Sequence, residues 1–184
     1  MKHQVIKSSR EEDRTESCVF SWDLEDLGIP QKYFHLAKAY LDSSITLFGA
    51  MIADSQPTTF SHAQAAALLF EQGLELFLKG ALWQAGRNPG NTHDLAGLHG
   101  QFRNLYPGKR YEFTARIDEA VQEHPNQPHM EWTRYPIDQD GKVWRGNSHF
   151  ILELWKDQME AFRKDFDRLI PLIEARKKSS EPAH

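Results

Sequence analysis

The sequence predicts an all-α fold: an up-and-down bundle of four to five helices, with a short β-hairpin-like insert before the last helix. Three observations carry this. Apolar residues recur at spacings of three and four over long stretches, which traces one face of a helix. Short turn-forming segments separate those stretches, so successive helices pack side by side. One segment, 124–144, departs from the pattern and contains Pro125, Pro128, Pro136 and Gly141.

Residues 1–17 are charged and aperiodic, and read as a flexible arm. Val19, Phe20, Trp22, Leu24, Leu27 and Ile29 are too apolar to float free and should pack on the body. One domain is expected over 18–176, with 177–184 a disordered tail. Pro30 opens the first helix, because the first turn does not need its N–H. Phe34, Ala37, Leu41, Ile45, Phe48 and Ile52 mark its apolar face, and the segment 54–57 ends it.

Ser61 is the expected cap of the second helix. From Ala65 to Trp83 this helix is apolar on most sides, so it should be central and buried. Its polar residues form a narrow strip of Gln64, Glu71, Gln72, Glu75 and Lys79. Glu75 and Lys79 are a structural polar pair, with the acid first as a helical pair prefers. Gly86 closes the helix. Thr92 is the expected cap of the third helix, which carries Leu95, Leu98, Phe102 and Leu105 and stops at Pro107-Gly108. A fourth helix is expected over about 111–123. Asp140-Gly141 between apolar flanks then signals the hairpin. Ile151, Leu154, Trp155, Phe162, Phe166, Leu169, Ile170 and Ile173 form the stripe of the last helix, which Pro171 should kink or shorten.

At 184 residues with 40% apolar and 26% charged content, the chain can bury a core without staples. Its 22 basic and 26 acidic residues leave a net charge of −4, so no global field draws in nucleic acid. A single cysteine, Cys18, rules out an intrachain disulfide and a Cys-type structural zinc site. No metal and no cofactor are expected. Without a signal-like segment or a membrane span, the default location is cytoplasmic.

The run from Ala66 through Leu82, followed by Gly86-Arg87-Asn88-Pro89-Gly90-Asn91 and Thr92-His93-Asp94-Leu95-Ala96-Gly97-Leu98, resembles the HEPN family. That family has a buried helix with a Glu-x-x-x-Lys element, here Glu75 to Lys79. A glycine-containing loop and a Thr-His-Asp-Leu-x-x-Leu helix start follow, here Thr92 to Leu98. The resemblance covers 63–98; the segment 107–144 has no counterpart in it. It implies a helical bundle that often dimerises. Some members are metal-independent endoribonucleases in which Arg and His, with four to six residues between them, meet at a dimer cleft; others are non-catalytic partners of nucleotidyltransferases or of defence and stress systems.

Two pairs approach that Arg–His pattern. Arg87 and His93 have five residues between them, with Asn88 after the Arg. His would move protons for attack by an RNA 2′-hydroxyl, and Arg would stabilise charge on the phosphate. Arg145 and His149 have three between them and flank Asn147 at a helix start, where free amides favour an anion. Arg134 and Tyr135 lie among aromatics that can stack a base. Each has a plainer reading as well: His93 packs against Glu75 or a backbone group, Asn147 caps a helix, and Arg134 makes a cation–π contact. The expected function is therefore a HEPN-like RNA- or nucleotide-associated module. It is either a ribonuclease or a non-catalytic interaction module, with a homodimer, RNA or nucleotide, or another protein as partner and no membrane.

Overall fold

The computed structural model describes residues 24–54, 60–122 and 151–180. Helices α1 (Ile29–Ala53), α2 (Phe60–Gln84), α3 (Leu95–Leu105), α4 (Ile117–Gln122) and α5 (Leu152–Ser180) occupy them, with a 3-10 turn at Lys109–Tyr111. No strand occurs among the described residues, and the hairpin expected within 124–144 lies outside them. No helix is long and apolar enough to cross a membrane among the described residues.

Three long helices form the frame. Pro30 stands in the first turn of α1, where its missing N–H would have had no intrahelical partner. Phe34, Ala37, Leu41 and Phe48 are buried along α1. Glycines bring α2 against them. A Cβ on Gly73 would lie 3.0 Å from the Ala37 carbonyl oxygen, and one on Gly80 would lie 2.9 Å from Tyr33 Cβ and from the Phe34 ring. Further along, the buried Ser44 hydroxyl donates to the Ala66 carbonyl at 2.7 Å. Partner numbers on α1 fall as those on α2 rise, so the two run antiparallel.

Helix α5 takes the same sense against α1. Lys38 pairs with Asp167 at 2.6 Å and Asp42 with Arg163 at 2.6 Å, and Phe48 stacks on Trp155. Arg163 also pairs with Asp167. These pairs are partly exposed and set register more than they add stability. Between α2 and α5 the joint is aromatic. Phe77 stacks on Phe166 with centroids 4.3 Å apart, and Phe70 meets Phe162 at 5.0 Å. Phe77 also touches Phe34 of α1, Phe102 of α3 and Phe113.

Four expectations need correction. Helix α2 starts at Phe60, so Ser61 lies inside its first turn rather than at the position before it. The cap of α3 is Asp94, whose Oδ1 accepts from the Gly97 N–H at 2.9 Å; Thr92 sits two residues earlier and accepts from the Asp94 N–H. The helix expected over 111–123 is only α4, because the stretch before it is pinned to α5. Asp165, 1% exposed, accepts from the Thr114 and Ala115 N–H groups at 2.7 and 2.8 Å. Arg168 donates to the Arg110 and Glu112 carbonyls and to Asp165. Backbone groups engaged by side chains in this way cannot close helical turns. Finally, Pro171 does not shorten α5, which continues through it to Ser180.

Tyr106 closes the end of the core. Its hydroxyl donates to the Ala81 carbonyl at 2.9 Å, and burial pushes the phenol up to about 12. His99, also buried, is pushed below the ordinary imidazole value by desolvation; Asp118 opposes the shift and Arg103 adds to it.

Two measurements check this packing. Gly80→Ala should cost about 1–3 kcal/mol in urea unfolding, because its methyl meets backbone-anchored atoms of α1. Gly100→Ala has open space at its Cβ and should stabilise by about 0.5–1 kcal/mol. For His99, the unfolded chain takes up its proton first. Its contribution is therefore complete above about pH 6.5 and is lost as pH falls through the lower folded value. The stability difference between wild type and His99→Gln should shrink between pH 7.5 and 5, while a constant difference would contradict the burial assigned to this ring.

Candidate functional site

The site is built where α2 ends. Gly86 takes φ 75°, which lets its own N–H reach the Trp83 carbonyl and the Arg87 N–H reach that of Leu82, each at 2.9 Å. This double bond pattern satisfies the last carbonyls of α2 and turns the chain sharply away. The loop that follows holds itself. Asn88 Oδ1 accepts from the Gly90 N–H at 2.8 Å, and Gly90 has φ 67°. Thr92 and Asp94 then launch α3.

This path returns His93 to the side of α2. Its Nδ1 lies 3.1 and 3.0 Å from the two oxygens of Glu75. Glu75 is 3% exposed and also accepts from Lys79 Nζ at 2.8 Å. Lys79, at 7%, is nearly as buried. A carboxylate this deep requires partners, because an unpaired buried charge costs several kcal/mol. Lys79 supplies one from within the helix and His93 another from the loop.

The contact also orients the imidazole. An Nδ1 that donates to a carboxylate leaves Nε2 as the basic nitrogen of the neutral ring. The His93 side chain remains 58% exposed, so that nitrogen belongs to a ring open to solvent. Arg87 and Asn88 are exposed on the same connection, and the Arg87 guanidinium holds no ion pair among the described residues. The arrangement thus offers a positioned base, a cation and an amide on one short loop.

Glu75, Lys79 and His93 are the predicted residues brought into contact. Arg134, Tyr135, Arg145, Asn147 and His149 lie outside the described residues. Among the described residues, no group of three or more His, Cys, Asp or Glu is placed to hold a metal ion. Two features carried no motif and were missed: the Asp165–Arg168 clamp and the buried imidazole of His99. Asp165 offers no local signal, since it reads as one more charge on an amphipathic helix. His99 does, because it shares one face of α3 with Leu95, Leu98 and Phe102 and interrupts that apolar stripe with a titratable ring. In comparisons with known proteins, no family model, curated protein or solved structure matches the chain.

The triad makes a clear energetic forecast. Glu75→Ala should cost about 3–5 kcal/mol, because Lys79 is left buried without its counter-charge. Glu75→Leu combined with Lys79→Met should lie within about 1 kcal/mol of wild type. Urea unfolding of the double-mutant cycle measures both, and simple additivity of the two losses would refute the coupling.

Proposed function

We propose that this chain is a HEPN-like helical module associated with RNA, working as a dimer, with His93 and Arg87 at a metal-independent endoribonuclease centre. One observation carries the reading. A buried carboxylate grips Nδ1 of an imidazole that is otherwise 58% exposed, which is the arrangement of an oriented general base.

The chemistry balances without a metal. Nε2 of His93 takes the proton of a ribose 2′-hydroxyl as that oxygen attacks the adjacent phosphorus. The bond from phosphorus to the 5′-oxygen breaks, and that oxygen receives a proton as it leaves. The products are a 2′,3′-cyclic phosphate and a 5′-hydroxyl. Arg87 faces the charge that develops on the non-bridging oxygens, with Asn88 as a further donor. Glu75 is a positioning residue that holds the tautomer and supports the imidazolium.

A second copy supplies the leaving-group acid in this reading. Helix α1 carries a face suited to pairing. Ile29, Leu36, Tyr40 and Leu47 recur at spacings of seven, four and seven and are all exposed. Beside them the Ser43 and Thr46 hydroxyls donate back to the Ala39 and Asp42 carbonyls of their own helix, so the strip asks little of water. An apolar stripe along one helix is self-complementary across a two-fold axis.

A non-catalytic interaction module, the helical partner of another protein, is the second reading. The observation that favours it is Lys79, which shares the Glu75 carboxylate and gives His93 a sufficient role as a lock between α2 and α3.

An RNA cleavage assay in EDTA separates the two. Wild type should produce cyclic phosphate ends. His93→Ala should lose at least about 100-fold, a typical contribution of a general base. Leu36→Glu should lower both the mass in sedimentation and the cleavage rate, and His149→Ala tests the other Arg–His pair. Undiminished cleavage by His93→Ala would end the assignment, and an inactive wild type would select the interaction module.

A further inference from the structure

Among the described residues, helix α2 is enclosed on three sides and open on the fourth. Helix α1 meets it at Ala66, Gly73 and Gly80, and α5 at Phe70 and Phe77. Tyr106 of α3 reaches it at Ala81, and the loop before α3 at Glu75. With 3.6 residues per turn, the side left over carries Ala65, Leu69, Gln72, Leu76 and Trp83. They recur at spacings of four, three, four and seven, and each is at least partly exposed.

This stripe adjoins the apolar one on α1. Lys38 and Asp42 of α1 point to α5, and Ala37 and Leu41 lie against Gly73. Leu36, Tyr40 and Leu47 fall beyond Ala37 and Leu41, on the flank away from α5. Neither stripe contains Asp, Glu, Lys or Arg, although 26% of the chain is charged. An uncharged face two helices wide is the kind of surface that marks an association site.

One polar group sits at its centre. Gln72 Nε2 is buried without a hydrogen-bond partner among the described residues, while the residue as a whole is partly exposed. Buried amide groups are normally paired. A glutamine amide carries both donors and an acceptor, so a second glutamine amide is its complement.

The symmetry of the face selects its occupant. Helices α1 and α2 have 25 residues each, with Leu41 and Gln72 at their midpoints. Those midpoints are level, since a Cβ on Gly73 would lie 3.3 Å from the Leu41 nitrogen. A half-turn about the Tyr40–Gln72 level therefore lays the face on itself with the helices antiparallel. Two such helices side by side present roughly 700 Å², given about 37 Å of length and a spacing of about 10 Å. That is close to the roughly 800 Å² per partner of a stable interface.

We infer that a second copy of this chain covers this face, α1 on α1 and α2 on α2 in antiparallel, with the two Gln72 amides hydrogen-bonded to each other at the two-fold axis. This pairing rests on the dimer of the proposed function and not on its cleavage chemistry. Glu75 lies about 4.5 Å of helical rise beyond Gln72, so the two His93 loops then stand along the same edge of the dimer.

The test uses the full chain with Cys18→Ser, so that each added cysteine is the only thiol. A short bismaleimide should join Gln72→Cys into a covalent dimer at least about tenfold faster than Ala96→Cys, an exposed site on α3, because pairing raises the effective concentration of the second thiol. In sedimentation the parent chain should be a dimer. Gln72→Lys should weaken it about 100-fold by setting like charges at the axis, and Gln72→Leu should remain a dimer. Should the lysine variant lose its helical circular dichroism, crosslinking decides alone. Equal crosslinking at both positions, an undiminished dimer in a folded Gln72→Lys, or crosslinking through Leu36→Cys and not Gln72→Cys would overturn this pairing and leave a dimer of another geometry. A monomeric parent chain would overturn it as well, and slow labelling of the Gln72→Cys thiol in that monomer would show the face covered by the chain's own residues. None of these readouts uses RNA, so a failed pairing and a failed ribonuclease are told apart.

Discussion

Phe77 ties this fold together. From the middle of α2 it stacks on Phe166 and touches Phe34, Phe102 and Phe113, so one ring joins α1, α3, α5 and the segment before α4. Such a position exists only because α2 is enclosed on nearly every side. Gly73 and Gly80 let α1 approach its backbone closely, and α5 closes the opposite flank with aromatics. Around a helix buried this thoroughly, every neighbour must adjust to the same set of side chains, and interiors are packed too densely to accommodate slippage.

The enclosure also shapes the chemistry at the end of α2. Polar residues on a buried helix must find partners, and Glu75 finds two. Lys79 satisfies it within the helix, and the loop after Gly86 returns His93 to satisfy it from outside. An imidazole oriented by a buried carboxylate therefore arises from the cost of burying that carboxylate. The two proposed readings, a structural lock and a positioned base, rest on this one pairing, so they differ in chemistry and share their geometry. His99 shows the contrasting case, a buried ring whose carboxylate neighbour Asp118 stands 3.8 Å away, beyond hydrogen-bond reach.

Much of this was legible in the residues. The period of α1, α2 and α5, the stop at Gly86 and the Glu75–Lys79 pair all rest on contacts between residues close in sequence. The contact between His93 and Glu75 was legible as one of two plain alternatives, since a ring beside a capped helix start must pack on something near. The caps at Ser61 and Thr92 were misplaced because several adjacent residues can cap, and the backbone path selects among them. The region before α4 misled for a different reason. Phe113, Ile117, Ala120 and Val121 have helical spacing, but Asp165 and Arg168, some fifty residues later, take up the backbone groups that the first turns required.

By itself, then, the sequence determined the helical class, the central burial of α2 and the polar pair within it, because apolar period and i to i+4 spacing act over one or two turns. Only the tertiary structure decided how α1 and α5 register along each other, which oxygens His93 meets, where α4 begins and which side of α2 the other described helices leave open. Those outcomes depend on groups far apart in the chain competing for the same buried space and the same hydrogen bonds, and no local pattern records which of them succeeds.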